Sequence, residues 1–245
     1  MNLSLKKPPE KADLNGNQRL PGNQPAGFSR PHRFSGVCGG CNLSCPFCHN
    51  PALVKAPESL PDYPLEPLFE ELKQRRSFID GVVISGGEPT LYPGLSDLMR
   101  GIKDLGLLVK LDTNGLRPDV VAGVLEQGLA DMVALDLKTS PERYGELHCA
   151  PVDGSPLRES VALLLRDSVA CEFRTTCVPG LVQEADIHVL GTLLQGAGSW
   201  VLQQFVPHYC MDDGYRAIEP YPASFLEHFA ELARRYVPCV MLRGV

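Results

Sequence analysis

At 245 residues the chain is long enough for one substantial domain or two small ones, and its 44% hydrophobic and 21% charged content is that of a globular protein. The net charge of −6, with no Lys/Arg cluster interleaved with aromatics, argues against nucleic-acid binding, which shows a basic stripe. No stretch reaches the roughly 18–20 apolar residues of a membrane span, and the N-terminus lacks the apolar core of a secretory signal, so a cytoplasmic protein with no membrane partner is expected.

Residues 1–31 read as an extension. They hold Pro8, Pro9, Pro21, Pro25 and Pro31 and few large apolar side chains, too little to fold alone. Residues 32–245 read as one core domain. Gly81–Ser85 is a short apolar run, a buried strand by length and β-branching. Leu95, Leu98, Met99, Ile102 and Leu105 follow at helical spacing, and Leu107–Asp112 is the next strand. Pro118 opens a helix with Val120, Val121, Val124 and Leu125 on one face. Met132–Asp136 is a strand, Val161, Leu164 and Leu165 mark a helix, and Cys171–Cys177 is a strand again. Ile187, Leu190 and Leu194 mark a helix, Trp200–Phe205 a strand, Phe225, Leu226, Phe229 and Leu232 a last helix, and Cys239–Leu242 a final strand.

Repeated strand–helix units imply a parallel sheet with right-handed crossovers. About six units fall short of the eight of a closed barrel. The fold class expected is therefore α/β, a partial, open-sided (β/α)6-type barrel of parallel strands. Polar residues recur where its strands end: Glu88 beyond Gly86-Gly87, Asp112, Asp136 with Lys138, and Gln203-Gln204, while Arg174 sits within its strand. In α/β barrels the active site lies at the C-terminal ends of the strands, and this recurrence points to one shared site.

Nine cysteines are an odd count in a chain far too long for a disulfide-stapled mini-domain. A reducing compartment with metal-ligating thiols fits better. Cys41, Cys45 and Cys48 stand in the spacing C-x3-C-x2-C. Three such thiolates can hold three irons of a [4Fe–4S] cluster and leave the fourth open to a small molecule, whereas an electron-transfer cluster normally has all four sites closed. The competing reading is zinc, with Cys38-x2-Cys41 and Cys45-x2-Cys48 as two pairs or Cys48-His49 completing a Cys3His set, although zinc ribbons separate their pairs by a dozen or more residues. Cys149, Cys171, Cys177, Cys210 and Cys239 are scattered and form no second C-x-x-C. His32, His148, His188 and His228 show no ligand spacing, and His49 reads as a shaper of the loop after the cysteines. In Ser85-Gly86-Gly87-Glu88-Pro89, two glycines let backbone approach a ligand closely, and the carboxylate beyond can receive an ammonium. Asp112-Thr113-Asn114-Gly115 could be no more than an Asx turn, Asp136 and Lys138 an exposed ion pair, and Arg174 either a cofactor holder or the partner of a core acid.

The cysteine loop, with Phe47 in the aromatic place, resembles the radical S-adenosylmethionine superfamily, whose signature is C-x3-C-x-aromatic-C. The resemblance covers about residues 33 to 210. It implies that Cys41, Cys45 and Cys48 bind a [4Fe–4S] cluster, that the methionine moiety of S-adenosylmethionine chelates the free iron, and that one electron then yields a 5′-deoxyadenosyl radical. Gly86, Gly87 and Glu88 resemble the superfamily's G-G-E-P motif, which binds the amino group. Asp112-Thr113-Asn114-Gly115 and Asp136-Leu137-Lys138 together resemble the corresponding strand ends of the glycyl-radical-enzyme activases; that match would place Asp112, Thr113 and Asp136 around the methionine carboxylate, with Lys138 neutralising it, and it allows a monovalent cation beside them. Gln203-Gln204 falls where several activases carry a histidine near the nucleoside, and His208 follows a few residues later.

Within the superfamily, Cys48-His49-Asn50-Pro51, the run 80–91, the run 109–115 and Val201–Phe205 are similar to the anaerobic ribonucleoside-triphosphate reductase activating proteins. That narrower resemblance implies a glycyl radical enzyme as partner, a reduced flavodoxin- or ferredoxin-type electron donor, and an open barrel into which a loop of the partner enters. The chain departs from that pattern upstream of the cysteines, where Phe28–Cys38 replaces an Asp-Tyr-Pro-Gly-like segment, and this leaves the partner's identity open. The same cofactor residues would serve a radical enzyme that modifies a peptide or small metabolite.

Overall fold

The apolar runs become consecutive strands of one sheet in the computed structural model, which describes residues 4–6, 33–147 and 152–245. The strands are β1 (Leu5–Lys6), β2 (Arg33–Cys38), β3 (Gly81–Gly86), β4 (Leu108–Thr113), β5 (Met132–Asp136), β6 (Ala170–Cys177), β7 (Ser199–Gln204) and β8 (Cys239–Arg243). They lie side by side in that order. β2 to β8 are all parallel, and β1 is antiparallel to β2, with Leu5 opposite Cys38. The order is linear, so among the described residues the sheet runs from edge to edge without closing.

Helices α1 (Pro51–Lys55) and α2 (Leu65–Arg75) join β2 to β3, and α3 (Leu95–Asp104) joins β3 to β4. α4 (Pro118–Glu126), α5 (Ser155–Arg166) and α6 (Glu184–Leu193) serve the next three crossovers, and α7 (Asp213–Arg216) with α8 (Ala223–Ala233) the last. Six crossovers make the architecture a partial, open-sided barrel of the (β/α)6 type, with β8 as one edge strand.

Alternation along each strand sorts side chains into two faces. Outward residues pack on helices. Val82 and Ile84 of β3 with Val109 and Leu111 of β4 meet Leu68 and Leu72 of α2 and Leu98, Met99 and Ile102 of α3. A larger core joins Val133, Leu135, Phe173, Trp200 and Leu202 to Val161, Leu164, Ile187, Leu190, Leu226 and Phe229. Trp200 is fully buried, and its indole N–H donates to Thr175 Oγ1 at 3.0 Å, so its one polar atom is satisfied. The inward face is different. Lys110 and Asp112 on β4, Asp136 on β5, Glu172 and Arg174 on β6, Gln203 on β7 and Arg243 on β8 make it polar where a closed barrel would stack aliphatic layers.

β1, β2, α1, α2 and α7 are the strands and α-helices the sequence pattern did not announce. Of the expected extension only residues 4–6 are described; the rest, like His32, His148 and Cys149, lies outside the described residues. Leu5–Lys6 caps the edge of β2, and Lys6 Nζ reaches Asp62 at 2.7 Å. Among the described residues no helix is long and apolar enough to cross a membrane.

Candidate active site

Parallel strands end on one rim, and the loops beyond them enclose a cavity of about 260 Å³. Its lining brings together Cys41, Cys45, Phe47 and Cys48 from the loop after β2, Gly86, Gly87 and Glu88 from the end of β3 and the turn beyond it, Asp112 and Thr113 from β4, Asp136 from β5 and Lys138 from the loop after β5. Eleven of the twelve residues that the sequence reading offered as cluster or cofactor holders thus face one space. The twelfth, Arg174, stands behind it and pairs with two acids: Nε donates to Asp136 Oδ1 at 2.7 Å and Nη1 to Asp112 Oδ2 at 3.2 Å.

The four clustered cysteines divide three to one. Cys38 is fully buried against the α2–α3 core and does not line the cavity. The loop turns tightly enough for Cys48 N to donate to Cys45 O at 2.9 Å, and Ser44 N to Leu147 O anchors it to the 3-10 turn Pro141–Leu147. Leu43 N donates to Cys41 Sγ and Asn50 N to Cys48 Sγ, each at 3.4 Å. Burial pushes the Cys41 thiol up to about 12 and Cys45 to about 11, while the nearby Lys138 pulls both down. Among the described residues no three His, Cys, Asp or Glu side chains converge as for one metal ion. A cluster takes one thiolate per iron and asks for a wider spread.

Glycine does its work at the end of β3. Gly86 has φ 125°, a conformation that a side chain resists. A Cβ on Gly87 would stand 2.0 Å from Gly40 O. That closeness lets Gly87 N donate to Cys38 O at 2.9 Å and Glu88 N to Gly40 O at 2.8 Å, which stitches the turn to the backbone entering the cysteine loop. Glu88 is 1% exposed. Its Oε1 accepts from Thr90 N, Thr90 Oγ1 and Thr113 Oγ1 at 3.0, 2.6 and 2.7 Å, whereas among the described residues Oε2 accepts from Asn114 N alone, at 2.7 Å. Oε2 therefore keeps acceptor capacity. Burial holds the Glu88 carboxyl above the usual carboxylate range, although all four donors pull it down.

Asp136 Oδ2 accepts from Lys138 Nζ at 2.8 Å, and the two side chains are partly buried, not a surface pair. Buried beside Arg174 and Lys138, Asp136 is held well below the usual range. Gln204 lines the cavity with both amide atoms engaged, Nε2 on Tyr221 O and Oε1 with Phe205 N. His208 does not line it and packs edge-on against Tyr209. His49 Nε2 donates to Val206 O at 2.8 Å, tying the cysteine loop to the turn after β7.

Two residues escaped the sequence reading. Asn114 was absorbed into a turn, yet its Nδ2 donates to Asn42 Oδ1 at 2.7 Å and lies 4.0 Å from Cys41 Sγ. Lys110 lay unremarked within the expected strand Leu107–Asp112. Its two-residue spacing from Asp112 was the available signal, because it places both on one face.

The donor set fits a cluster with a zwitterionic small ligand. Three thiols face the cavity from one side, a carboxylate with spare acceptor capacity lies at the end of β3, and Lys138 supplies a cation. A model of the Radical SAM superfamily matches residues 36–189. A Methanocaldococcus jannaschii protein named as a glycyl-radical enzyme activating enzyme is 30% identical over 211 residues, covering 84% of this chain and 86% of that protein. The pyruvate formate-lyase-activating enzyme of Staphylococcus aureus is 33% identical over 109 residues, 40% of this chain and 43% of its own length. Among solved structures, Streptococcus suis SuiB bound to precursor peptide SuiA superposes with TM-score 0.68 at 17% identity over 87% of this chain, which spans about half (48%) of the SuiB chain. TYW1 with a lysine-pyruvate adduct bound gives TM-score 0.61 at 16% identity, covering 83% of this chain and 74% of that one. At such identities these two likenesses speak for the fold.

Proposed function

The chain belongs to the radical S-adenosylmethionine superfamily, and from that premise we propose that it activates a glycyl radical enzyme by taking a hydrogen atom from one backbone glycine of that partner, the anaerobic ribonucleotide reductase. The observation that carries this reading is the relative named for glycyl-radical enzyme activation, whose alignment runs through most of both chains. The runs 80–91 and 109–115 support the choice of the reductase.

In this reading Cys41, Cys45 and Cys48 hold a [4Fe–4S] cluster, which when bound supplies the single electron that cleaves the sulfonium C–S bond of S-adenosylmethionine to methionine and a 5′-deoxyadenosyl radical. The chain's own groups hold the ligand. Glu88 accepts the ammonium through Oε2, the oxygen with spare capacity. Lys138 receives the carboxylate, since an opposite charge within reach favours the ionised form. Phe47 and Leu43, both buried in the cavity wall, keep water from the reacting carbon. The unclosed side of the barrel admits a loop of a large partner, and a flavodoxin- or ferredoxin-type protein delivers the electron.

The test uses anaerobically reconstituted protein with reductant, S-adenosylmethionine and purified anaerobic ribonucleotide reductase. The expected outcome is a glycyl radical signal by electron paramagnetic resonance, stoichiometric with 5′-deoxyadenosine. Cofactor cleavage with no radical on the reductase, but with a mass change in a peptide substrate, would replace the activase reading by a peptide-modifying one. A protein that loads zinc and no iron or sulfide would remove the radical chemistry altogether.

A further inference from the structure

Two carboxylates and three cations meet where β4, β5 and β6 approach the cavity. Asp136 has Arg174 Nε on Oδ1 and Lys138 Nζ on Oδ2. Asp112 has Arg174 Nη1 on Oδ2 and Lys110 Nζ 3.4 Å from Oδ1. Every carboxylate oxygen therefore has a cationic nitrogen against it. Thr113 Oγ1 is turned away to Glu88 and also accepts from Gly115 N at 3.1 Å. The oxygens that the resemblance would offer a monovalent cation are thus already engaged.

Lys110 is the unusual member. It is 6% exposed on the inward face of β4. Among the described residues its ammonium makes no hydrogen bond, and its ion pair is the one to Asp112 Oδ1. That oxygen is itself buried without a hydrogen-bond partner. Burying an ammonium for one loose contact is costly, and a well-packed apolar residue would fill the same space for less. What Lys110 adds is charge. With it the group of Lys110, Lys138, Arg174, Asp112 and Asp136 carries a surplus of one positive charge; the buried Glu172 that also acts on Arg174 is paired with Arg243 Nη2 at 3.1 Å and leaves that balance unchanged, and the single carboxylate of the ligand cancels the surplus. A free cation on top of that would bring like charge against three cations.

We propose that Lys110 is a built-in counter-cation for Asp112: it takes the role of a free monovalent cation, and S-adenosylmethionine binds without Na⁺ or K⁺. The proposal rests on the reading above, that the zwitterionic cofactor binds beside Asp112 and Asp136. Lys110 is a positioning residue, since it acts on the ligand through Asp112.

The experiment measures the S-adenosylmethionine dissociation constant of the reconstituted holoenzyme by calorimetry, in tetramethylammonium, sodium or potassium chloride at equal ionic strength. The wild-type protein should bind equally, within about twofold, in all three salts. Lys110→Met should bind about tenfold more weakly in tetramethylammonium, the scale of one charged contact, and recover in Na⁺ or K⁺, a rescue that a merely structural lysine would not show. Wild-type affinity that rises about tenfold with Na⁺ or K⁺ overturns the proposal. So does a Lys110→Met protein that binds normally without them, or one whose weakness no cation repairs. Should the variant fail to fold, the wild-type series decides alone. Wild-type holoenzyme that binds no S-adenosylmethionine in any salt overturns the functional reading, and the proposal falls with it.

Discussion

The cysteine loop and the strand ends opposite it face the same cavity but are held in different ways. The loop carries three thiols on a segment tied down by a few backbone bonds, such as Ser44 N to Leu147 O and Asp212 N to Pro46 O at 2.9 Å. Cys41 and Cys45 are pushed toward the neutral thiol by burial. The strand ends carry full charges fixed by the sheet and by each other, with Asp136 held ionised by two cations. In the proposed reading the thiol side is chemically unfinished until metal displaces its protons. The ionic side is complete as the chain folds. The difference separates a part that a cofactor must finish from a part built in advance to receive a ligand.

The sharpest way to break this contrast is to remove thiols from both sides of the three-to-one division. Cys45→Ala should abolish iron and sulfide loading and 5′-deoxyadenosine production, whereas Cys38→Ala, which alters a thiol packed in the α2–α3 core, should keep both. Iron analysis and product chromatography decide it; loss of the cluster in Cys38→Ala would make Cys38 a ligand and undo the division.

A second effect, on stability, tests whether the ionic side is structural. Arg174→Met leaves Asp112 and Asp136 facing each other with only lysines for compensation. Breaking a buried pair costs about 3–5 kcal/mol, and the lower end applies because the acids border a cavity. A fall in Tm of roughly 10 °C is expected for a chain of this size, with cysteine reactivity unchanged. An unshifted melting curve would show that the lattice carries no stability.

The third effect is on ligand affinity. An ammonium needs Glu88 ionised, and burial holds that carboxyl above its usual range. Binding of S-adenosylmethionine should therefore weaken as pH falls, starting above the pH at which an ordinary glutamate would protonate. Glu88→Gln should bind about tenfold more weakly at neutral pH, the scale of one charged hydrogen bond, and lose that pH dependence. A dissociation constant flat with pH in the wild-type protein would detach Glu88 from the ligand.

How much of this was legible in the sequence follows the same contrast. The strands from β3 to β8 and helices α3 to α6 and α8 stood out because apolar runs and helical spacing survive where a face packs on a core. β2 was hidden: Arg33-Phe34-Ser35-Gly36-Val37-Cys38 has no clean alternation and a glycine within it. α2 carries Pro67 in its first turn, where proline is tolerated but reads as a break. The thiols and the Gly-Gly-Glu turn were legible because their spacing is local. The ionic lattice was not, since Arg174 reaches Asp112 across 62 residues and only the register of β4, β5 and β6 puts them side by side. Lys110 hid for the opposite reason, as one charge in a run otherwise suited to burial.

The contact between Gly87 and Gly40 sets a limit on how this chain can vary. A missing side chain is what lets two backbone segments touch, and any replacement at Gly87 would drive a carbon into Gly40 O. The obstacle is backbone, so no change of rotamer relieves it. In a saturation library, Gly87 should tolerate no other amino acid, while Gly145, whose added carbon meets nothing within 4 Å, should accept many. The seam between the cysteine loop and the Gly-Gly-Glu turn is a place where drift is closed off by geometry, before chemistry has any say.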